Sequence, residues 1–400
     1  MKIGIIKEGK TPADSRVLFS PEQVGILISQ GYDISVQRSP VRCFPDEEYE
    51  KAGAQMVDSV DHCEILFGVK EVPIEELISD KTYFFFSHTI KAQPYNQKLL
   101  KACVDKNIRL IDYEVLTDDS GNRVIAFGKF AGMVGAHNAL WTYGERLGNN
   151  PLPRMYTLRD YAAAKDVYKS VNTPNVKIAL TGTGRVSGGA VQVLEDMGIS
   201  RVRPIDFVTK TYDEAVFTQL SSFYYAKRKD GQECESVQKF YNNPQDYDSD
   251  FHHFLPCTDI MINGIYWDNN APAFFTAEQM AMPEYRIKVI ADVTCDIAPV
   301  SSIPSTLRAS TIADPVFGYD PQSQKETEPY STESVDMMTI DNLPNELPRD
   351  ASSAFGDMFI EHVLPELSNS KSKMLDKASI TNNGNLGSHF EYLREYLNGE

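Results

Sequence analysis

Nothing in this 400-residue sequence approaches the ~18-residue apolar run that a membrane-spanning helix needs. Lys7 and Glu8 interrupt the opening apolar stretch before a signal-peptide core can form, so neither a membrane span nor export is expected and the chain is placed in the cytoplasm. A basic surplus is lacking too. The 39 lysines and arginines face 56 acids, a net charge of −17, which argues against nucleic acid and anionic membrane surfaces as partners. A small anionic ligand stays compatible with that charge. The six cysteines (Cys43, Cys63, Cys103, Cys234, Cys257, Cys295) contain no CxxC pair, which speaks against a zinc site, and in a chain this long against a disulfide framework. No metal is expected.

What is present is a normal globular balance, 42% hydrophobic and 24% charged, over a length that exceeds what one core usually serves, so two domains are expected. The most informative stretch runs from Val176 to Asp206. An apolar run (VKIAL) leads into Thr181-Gly182-Thr183-Gly184-Arg185-Val186-Ser187-Gly188-Gly189, then a helix-like segment (AVQVLEDMG), then a short apolar strand ending in Asp206. Strand, glycine turn, helix, strand and acid is the order of a nucleotide-binding βαβ unit: Gly182 and Gly184 let the backbone approach a pyrophosphate, which then faces the amide end of the helix. Asp206, about 20 residues past the turn, is the expected partner of the adenosine ribose hydroxyls, a placement that disfavours a 2′-phosphate. The glycines follow GxGxxxGG, not GxGxxG, so an ordinary strand-turn-helix connection and a methyltransferase site are the rival readings. A dinucleotide is favoured because the motif lies behind about 175 residues with an α/β pattern of their own, a second domain able to carry a substrate.

Along that first part, KIGII (2–6) is a strand, and Ser20-Pro21-Glu22-Gln23 combines a capping serine, a proline suited to the first helical turn and a glutamine three places on. Strands are expected at Tyr32–Val36, Ile65–Val69, Tyr83–Phe86 and Arg109–Asp112, with helices at Asp46–Ala54 and near Pro94–Lys106. Such alternation implies a largely parallel sheet covered on both faces. The small-residue helix 130–147 (FAGMVGAHNALWTYGERL) suggests close packing against a neighbour. Ile260–Asn263 and Val289–Val293 are further buried strands, 211–255 is an aromatic-rich insertion or lid, and 318–335 is a polar surface loop. The fold class is α/β, with two Rossmann-like doubly wound domains: 1–135 plus about 330–400, carrying the substrate, and 136–329, carrying the nucleotide.

Ligands of α/β domains collect at the carboxyl ends of strands. Lys70 follows ILFGV, His88 follows YFFFS, Glu114 follows LIDY, and Arg16 lies in the loop after the first strand. Each has a bland alternative: a solvated lysine, a structural histidine, a Glu114 that simply pairs with Lys70. Their recurrence at successive strand ends favours a site. A lysine with a lowered pKa is a base near neutral pH, a histidine shuttles protons, and arginines clamp carboxylates. Lys91, Gln93 and Arg123 add donors nearby in sequence.

The segments GVKEVP (68–73), SHTIKAQ (87–93), LIDYEVL (110–116), NRVIAFGKFAGMVGA (122–136) and DNLPNELPRDAS (341–352) resemble the NAD-dependent, lysine-forming saccharopine dehydrogenases, and more distantly the alanine dehydrogenases and the nicotinamide nucleotide transhydrogenase. The resemblance runs from the first strand to about residue 367. It implies a two-domain dehydrogenase with its active site in the cleft, NAD as cofactor, and conversion of saccharopine to lysine and 2-oxoglutarate. By the same resemblance Lys70 is the base for the secondary amine, His88 the acid-base group for imine hydrolysis, and Glu114 the residue that holds and tunes Lys70. Arg16, Lys91, Gln93, Arg123 and Phe127 are implied substrate contacts, with Ile265, Tyr266 and Trp267 at the rim. Gly182, Gly184, Arg185, Asp206, Asp292 and Val293 are implied cofactor contacts. Asn122 stands where the fungal members carry an arginine, and Val186 where they carry a disulfide cysteine. An alanine-dehydrogenase-like or opine-type enzyme for another amino acid is the alternative within this chemistry, and a nucleotide-binding sensor without turnover the alternative outside it. A monomer or a homodimer is expected.

Overall fold

In the computed structural model, which describes residues 1–234 and 236–399, the chain forms two compact units: Met1–Phe127 with Pro348–Glu400, and Gly128–Leu347. The first unit opens with strands β1 (Lys2–Ile5), β2 (Asp33–Gln37), β3 (Gln55–Val57), β4 (Ile65–Phe67), β5 (Thr82–Phe85) and β6 (Arg109–Asp112). The second unit holds β7 (Lys177–Thr181), β8 (Ser200–Arg201), β9 (Val216–Leu220), a separate pair β10 (Ala226–Arg228) and β11 (Tyr247–Ser249), then β12 (Ile260–Asn263), β13 (Val289–Asp292), β14 (Val316–Asp320), β15 (Lys325–Thr327) and β16 (Val335–Met338). The chain finally returns to the first unit with β17 (Ser379–Asn382) and β18 (Asn385–Leu386).

Each unit is built on one eight-stranded sheet, ordered β18-β17-β6-β5-β4-β1-β2-β3 in the first and β15-β14-β16-β13-β12-β7-β9-β8 in the second. Six strands of each run parallel and two antiparallel strands finish one edge. Parallel strands covered by helices bury both faces, which is why ILF, IMIN and VIAD are continuous apolar runs and not alternating ones. The strand order reverses between β1 and β4 in the first sheet and between β7 and β12 in the second, and each reversal opens a crevice at the carboxyl ends.

In the first unit the helix Pro21–Ser29 starts at the capping box read from sequence, Ser20 with Gln23. The helix Pro348–His362 comes back from more than 200 residues away to place Phe355 and Phe359 against Phe19, Phe67, Phe84 and Tyr113 of this unit. In the second unit the helix Gly128–Arg146 lies on the helix Arg185–Asp196 with backbones nearly touching: a Cβ on Gly132 would overlap the carbonyl of Val186, and one on Gly189 that of Lys129. That close approach is what the small residues of 130–147 foretold.

Three expectations need correction. Asp206 does not end a strand. The strand before it, β8, is only Ser200–Arg201, both exposed, and Asp206 sits in the following helix Pro204–Thr209. The place beside β7 is taken by β9, whose VFTQL run is buried, so 211–255 includes a central strand and is not wholly an insertion or lid. Burial decided this: an exposed two-residue strand cannot fill a central position. Likewise 318–335 is not only loop, since Gly318–Asp320 and Lys325–Thr327 pair as an edge hairpin.

Candidate active site

The crevice of the first unit is rimmed by charge. Glu8 and Arg16 follow β1, Lys70 and Glu71 follow β4, His88 follows β5, and Glu114 follows β6. Arg16 is buried and doubly bonded to Asp14 (3.0 and 2.6 Å), with its guanidinium 4.3 Å from the Phe127 ring centre. Phe127 in turn stacks on Phe355, ring centres 4.2 Å apart. The arginine is thus fixed in place before any ligand arrives, charge held against an aromatic face.

Lys70 is half-buried, and among the described residues none forms an ion pair with its ammonium. Burial lowers its pKa, and the neighbouring Arg16 charge lowers it further. Both effects favour the neutral amine, the form that accepts a proton.

His88 is held by Glu71, whose carboxylate lies 2.6 Å from Nδ1 and also takes Lys10 at 2.8 Å. Burial alone would raise the Glu71 carboxyl, but the bonds from His88 and Lys10 outweigh it and bring it down to about 2. Because an ionised carboxylate only accepts, Nδ1 carries the proton and Nε2 is left for proton transfer. The backbone of His88 is left-handed, φ 55°, which is uncommon for a residue with a side chain.

Glu114 does not hold Lys70. Its Oε1 meets Arg123 at 3.2 Å and Lys91 at 4.0 Å, and its buried Oε2 has no hydrogen-bond partner among the described residues. Two cations reach this carboxylate first, so the tuning of Lys70 comes from burial and Arg16 instead. Gln93 is exposed, its carbonyl accepting from Tyr396. Asn122 is exposed and bonded to Asp118. The carboxylates Glu8, Asp14, Glu71 and Asp112 were missed from sequence, although the strand-end rule that selected Lys70 applies equally to its neighbour Glu71.

The second unit presents glycine and neutral groups at the matching crevice. Gly182 follows β7 with φ +94°, and a Cβ there would lie 2.7 Å from both the Gly264 carbonyl and Ser187 Oγ. Gly184 precedes the 12-residue helix Arg185–Asp196, and nothing stands within 4 Å of where its Cβ would be. A tight turn, open space and the amide end of a helix fit a dinucleotide pyrophosphate. Arg185 is exposed beside it.

Ile265 is buried, Tyr266 exposed, and Trp267 donates from Nε1 to the Val300 carbonyl. Asp292 is fully buried, accepting from Asn263 Nδ2, Thr306 Oγ1 and the Cys295 amide, and burial raises its pKa. Its side chain therefore braces the ends of β12 and β13 through protein donors, while the Val293 amide is taken by the Asn263 carbonyl.

Asp206 is engaged by Arg203 (2.7 Å) and Lys210 (3.1 Å), which hold its carboxyl low. Where the ribose acid was expected there is a cavity of about 460 Å³ lined by Thr183, Arg201, Arg203, Gln219, Ser221 and Tyr224 among others. No helix among the described residues is long and apolar enough to cross a membrane.

Each unit thus carries one crevice at its strand ends, one of fixed charge and one of glycine and amide, the arrangement of a two-unit α/β fold of the alanine dehydrogenase type. Residues 4–134 match the family model described as alanine dehydrogenase/PNT, N-terminal domain. The chain superposes on an L-alanine dehydrogenase with a TM-score of 0.67 at 16% identity, over 99% of this chain and 100% of that one. It also superposes on the transhydrogenase from Sinorhizobium meliloti with a TM-score of 0.56 at 16% identity, over 96% and 100%. Likeness at that identity is one of fold. More particularly, the chain is similar to the saccharopine dehydrogenases. It is 28% identical to saccharopine dehydrogenase [NAD(+), L-lysine-forming] of Emericella nidulans, covering 92% of this chain and 91% of that protein. It is 31% identical to the mitochondrial alpha-aminoadipic semialdehyde synthase of Mus musculus, covering 96% of this chain but 46% of that protein. The chain thus spans about half the length of the mammalian relatives it matches.

Proposed function

We propose that the chain interconverts saccharopine with lysine and 2-oxoglutarate as an NAD-dependent dehydrogenase. The observation that carries this reading is the presence at one strand-end crevice of a half-buried Lys70, with no ion-pair partner among the described residues, and a Glu71-held His88, in a chain similar to lysine-forming saccharopine dehydrogenases. In the oxidative direction Lys70 Nζ takes the extra proton of the protonated secondary amine, freeing the nitrogen lone pair. A nicotinamide held at the glycine crevice would supply the acceptor for the hydride that leaves the carbon beside that nitrogen. The substrate is then an imine. His88 Nε2 takes a proton from the attacking water and later returns one to the departing lysine nitrogen, which yields lysine and 2-oxoglutarate. Arg16 and Arg123 bind substrate carboxylates, Arg16 as a rigid clamp and Arg123 from its exchangeable pair with Glu114. Gly182, Gly184 and the helix they precede receive the pyrophosphate, with Arg185 beside them.

One observation favours a second reading of the cofactor. The cavity at the end of β9 is lined by Arg201 and by Arg203, the latter shared with Asp206 at 2.7 Å, two cations that suit a 2′-phosphate on the ribose. The deciding assay follows reduced-cofactor oxidation with lysine plus 2-oxoglutarate, beside pyruvate plus ammonia, each with NADH and NADPH. Turnover that needs both lysine and 2-oxoglutarate supports the proposal, and the better cofactor decides between the two readings. Turnover with pyruvate and ammonia alone would transfer the chain to the alanine dehydrogenase side.

A further inference from the structure

We propose that Glu8 and Asp112 are positioning residues, carboxylates that grip the backbone of the strand-end loops carrying Lys70 and His88. This rests on the reading of Lys70 and His88 as the acid-base pair.

The strand ladders stop just short of those loops. Ile6 donates to the Phe67 carbonyl as the last rung between the β1 and β4 segments. Beyond it, the Val69 and Lys70 amides would face no backbone acceptor. Glu8 supplies both, Oε1 accepting from Val69 at 2.7 Å and Oε2 from Lys70 at 2.8 Å. A side chain from one strand end thereby continues the ladder by two residues and fixes where the Lys70 side chain starts.

On the other side Asp112, the last residue of β6, is fully buried. Its Oδ2 accepts from the Ser87 amide (2.8 Å) and the Ser87 hydroxyl (2.6 Å), and its Oδ1 accepts from the Glu114 amide (2.7 Å). Ser87 Oγ in turn takes the Thr89 amide at 3.2 Å, so the residues on both sides of His88 are tied down. His88 itself keeps a left-handed φ of 55°. A residue with a Cβ stays in that region only when its surroundings over-determine it. Asp112 supplies that constraint, and the result is a His88 ring delivered to Glu71. Neither grip tolerates an amide. A glutamine or asparagine would turn an NH₂ group toward a backbone N–H and leave a buried donor unpaired.

The test uses the full chain with E8Q, E8D, D112N and S87A, read by steady-state kinetics, thermal melting and hydrogen exchange of peptides covering 66–72 and 85–91. E8Q is expected to speed exchange in the first peptide, and D112N in the second. Each should lower kcat by about 10- to 100-fold with KM changed by less than about threefold, because misplacement of a catalytic group is felt in the rate step. E8D, which keeps a carboxyl group with two acceptor oxygens, should recover part of the rate. S87A keeps the Asp112 carboxylate and removes one of its donors, so it gives the D112N pattern at smaller amplitude even if D112N fails to fold. Unchanged exchange at the gripped amides, an unaltered kcat, or a loss confined to KM would overturn the proposal. Exchange is measured without substrate, so a parent chain inactive with lysine and 2-oxoglutarate would defeat the functional reading while exchange still decides the grip.

Discussion

The two units share one architecture and carry opposite kinds of residue at the same place in it. Both wind six parallel strands about a reversal point, β1/β4 in one and β7/β12 in the other, and both finish one edge with two antiparallel strands. At the first reversal the strand ends carry Glu8, Arg16, Lys70 and Glu71. At the second they carry Gly182, Thr183, Gly184 and Gly264, and the nearby Asp292 is buried with its oxygens already bonded. Side chains that exchange protons need charge held at a fixed distance. A charged ligand held by amides needs side chains kept out of the way. The position in the fold is the same, and the residue types at it decide between chemistry and binding.

The sharpest way to break that division is to remove a side chain from the first unit and ask whether the second notices. Lys70→Met should cut turnover by a factor on the order of 10²–10⁴ while the dissociation constant of the reduced cofactor stays unchanged. Fluorescence titration beside steady-state rates checks this, and a parallel loss of cofactor binding would mean the units do not divide the work in this way. The reciprocal change acts on stability. Gly132→Ala forces a Cβ into the Val186 carbonyl, which cannot retreat without parting two helices, so a loss of ~1–3 kcal/mol is expected from denaturant unfolding.

The parts legible in the sequence were those written in contiguous residues. Apolar runs such as IMIN and VIAD marked the central strands, and the polar residue after each run marked the rim, which brought Lys70, His88 and Glu114 forward. What stayed hidden depended on pairings across the sheet. Glu71 is adjacent to Lys70 in the chain but serves His88, because successive residues past a strand end face different neighbours. Asp206 has the spacing of a ribose acid, yet the chain visits the sheet edge at β8 before returning inward at β9, a detour that exposed Ser200–Arg201 and buried VFTQL explain only once the sheet is assembled. Phe355 and Phe359 belong to the first unit's aromatic core although the whole second unit intervenes in sequence, and no local pattern announces such a return.

Two smaller effects sharpen the contrast on the side of the second unit. His137 is fully buried there between the Tyr168 hydroxyl and the Pro153 carbonyl, and burial lowers its pKa to about 4. A folded-state pKa below the unfolded value of about 6.5 means that the unfolded chain binds the extra proton, so stability is full above that value and falls as pH drops toward 4. Chemical unfolding at pH 7 and pH 5 should therefore differ, and His137→Gln should shrink the difference.

The cofactor cavity gives the next step down. If the cations at the end of β9 face a 2′-phosphate, Arg201→Ala with Arg203→Ala should reduce the NADPH to NADH preference in kcat/KM by roughly tenfold, the worth of one or two charge-assisted hydrogen bonds. An unchanged ratio would return the choice to NAD. Asp206→Asn is the control for that experiment and the smallest effect expected. Its carboxylate is bonded to Arg203 and Lys210 on the surface, where such pairs contribute about 0–1 kcal/mol, so both stability and cofactor preference should stay near the parent values. A selective loss of NADH affinity in that variant would instead reinstate Asp206 as the ribose partner, and with it the simple strand-turn-helix-strand order for the second unit.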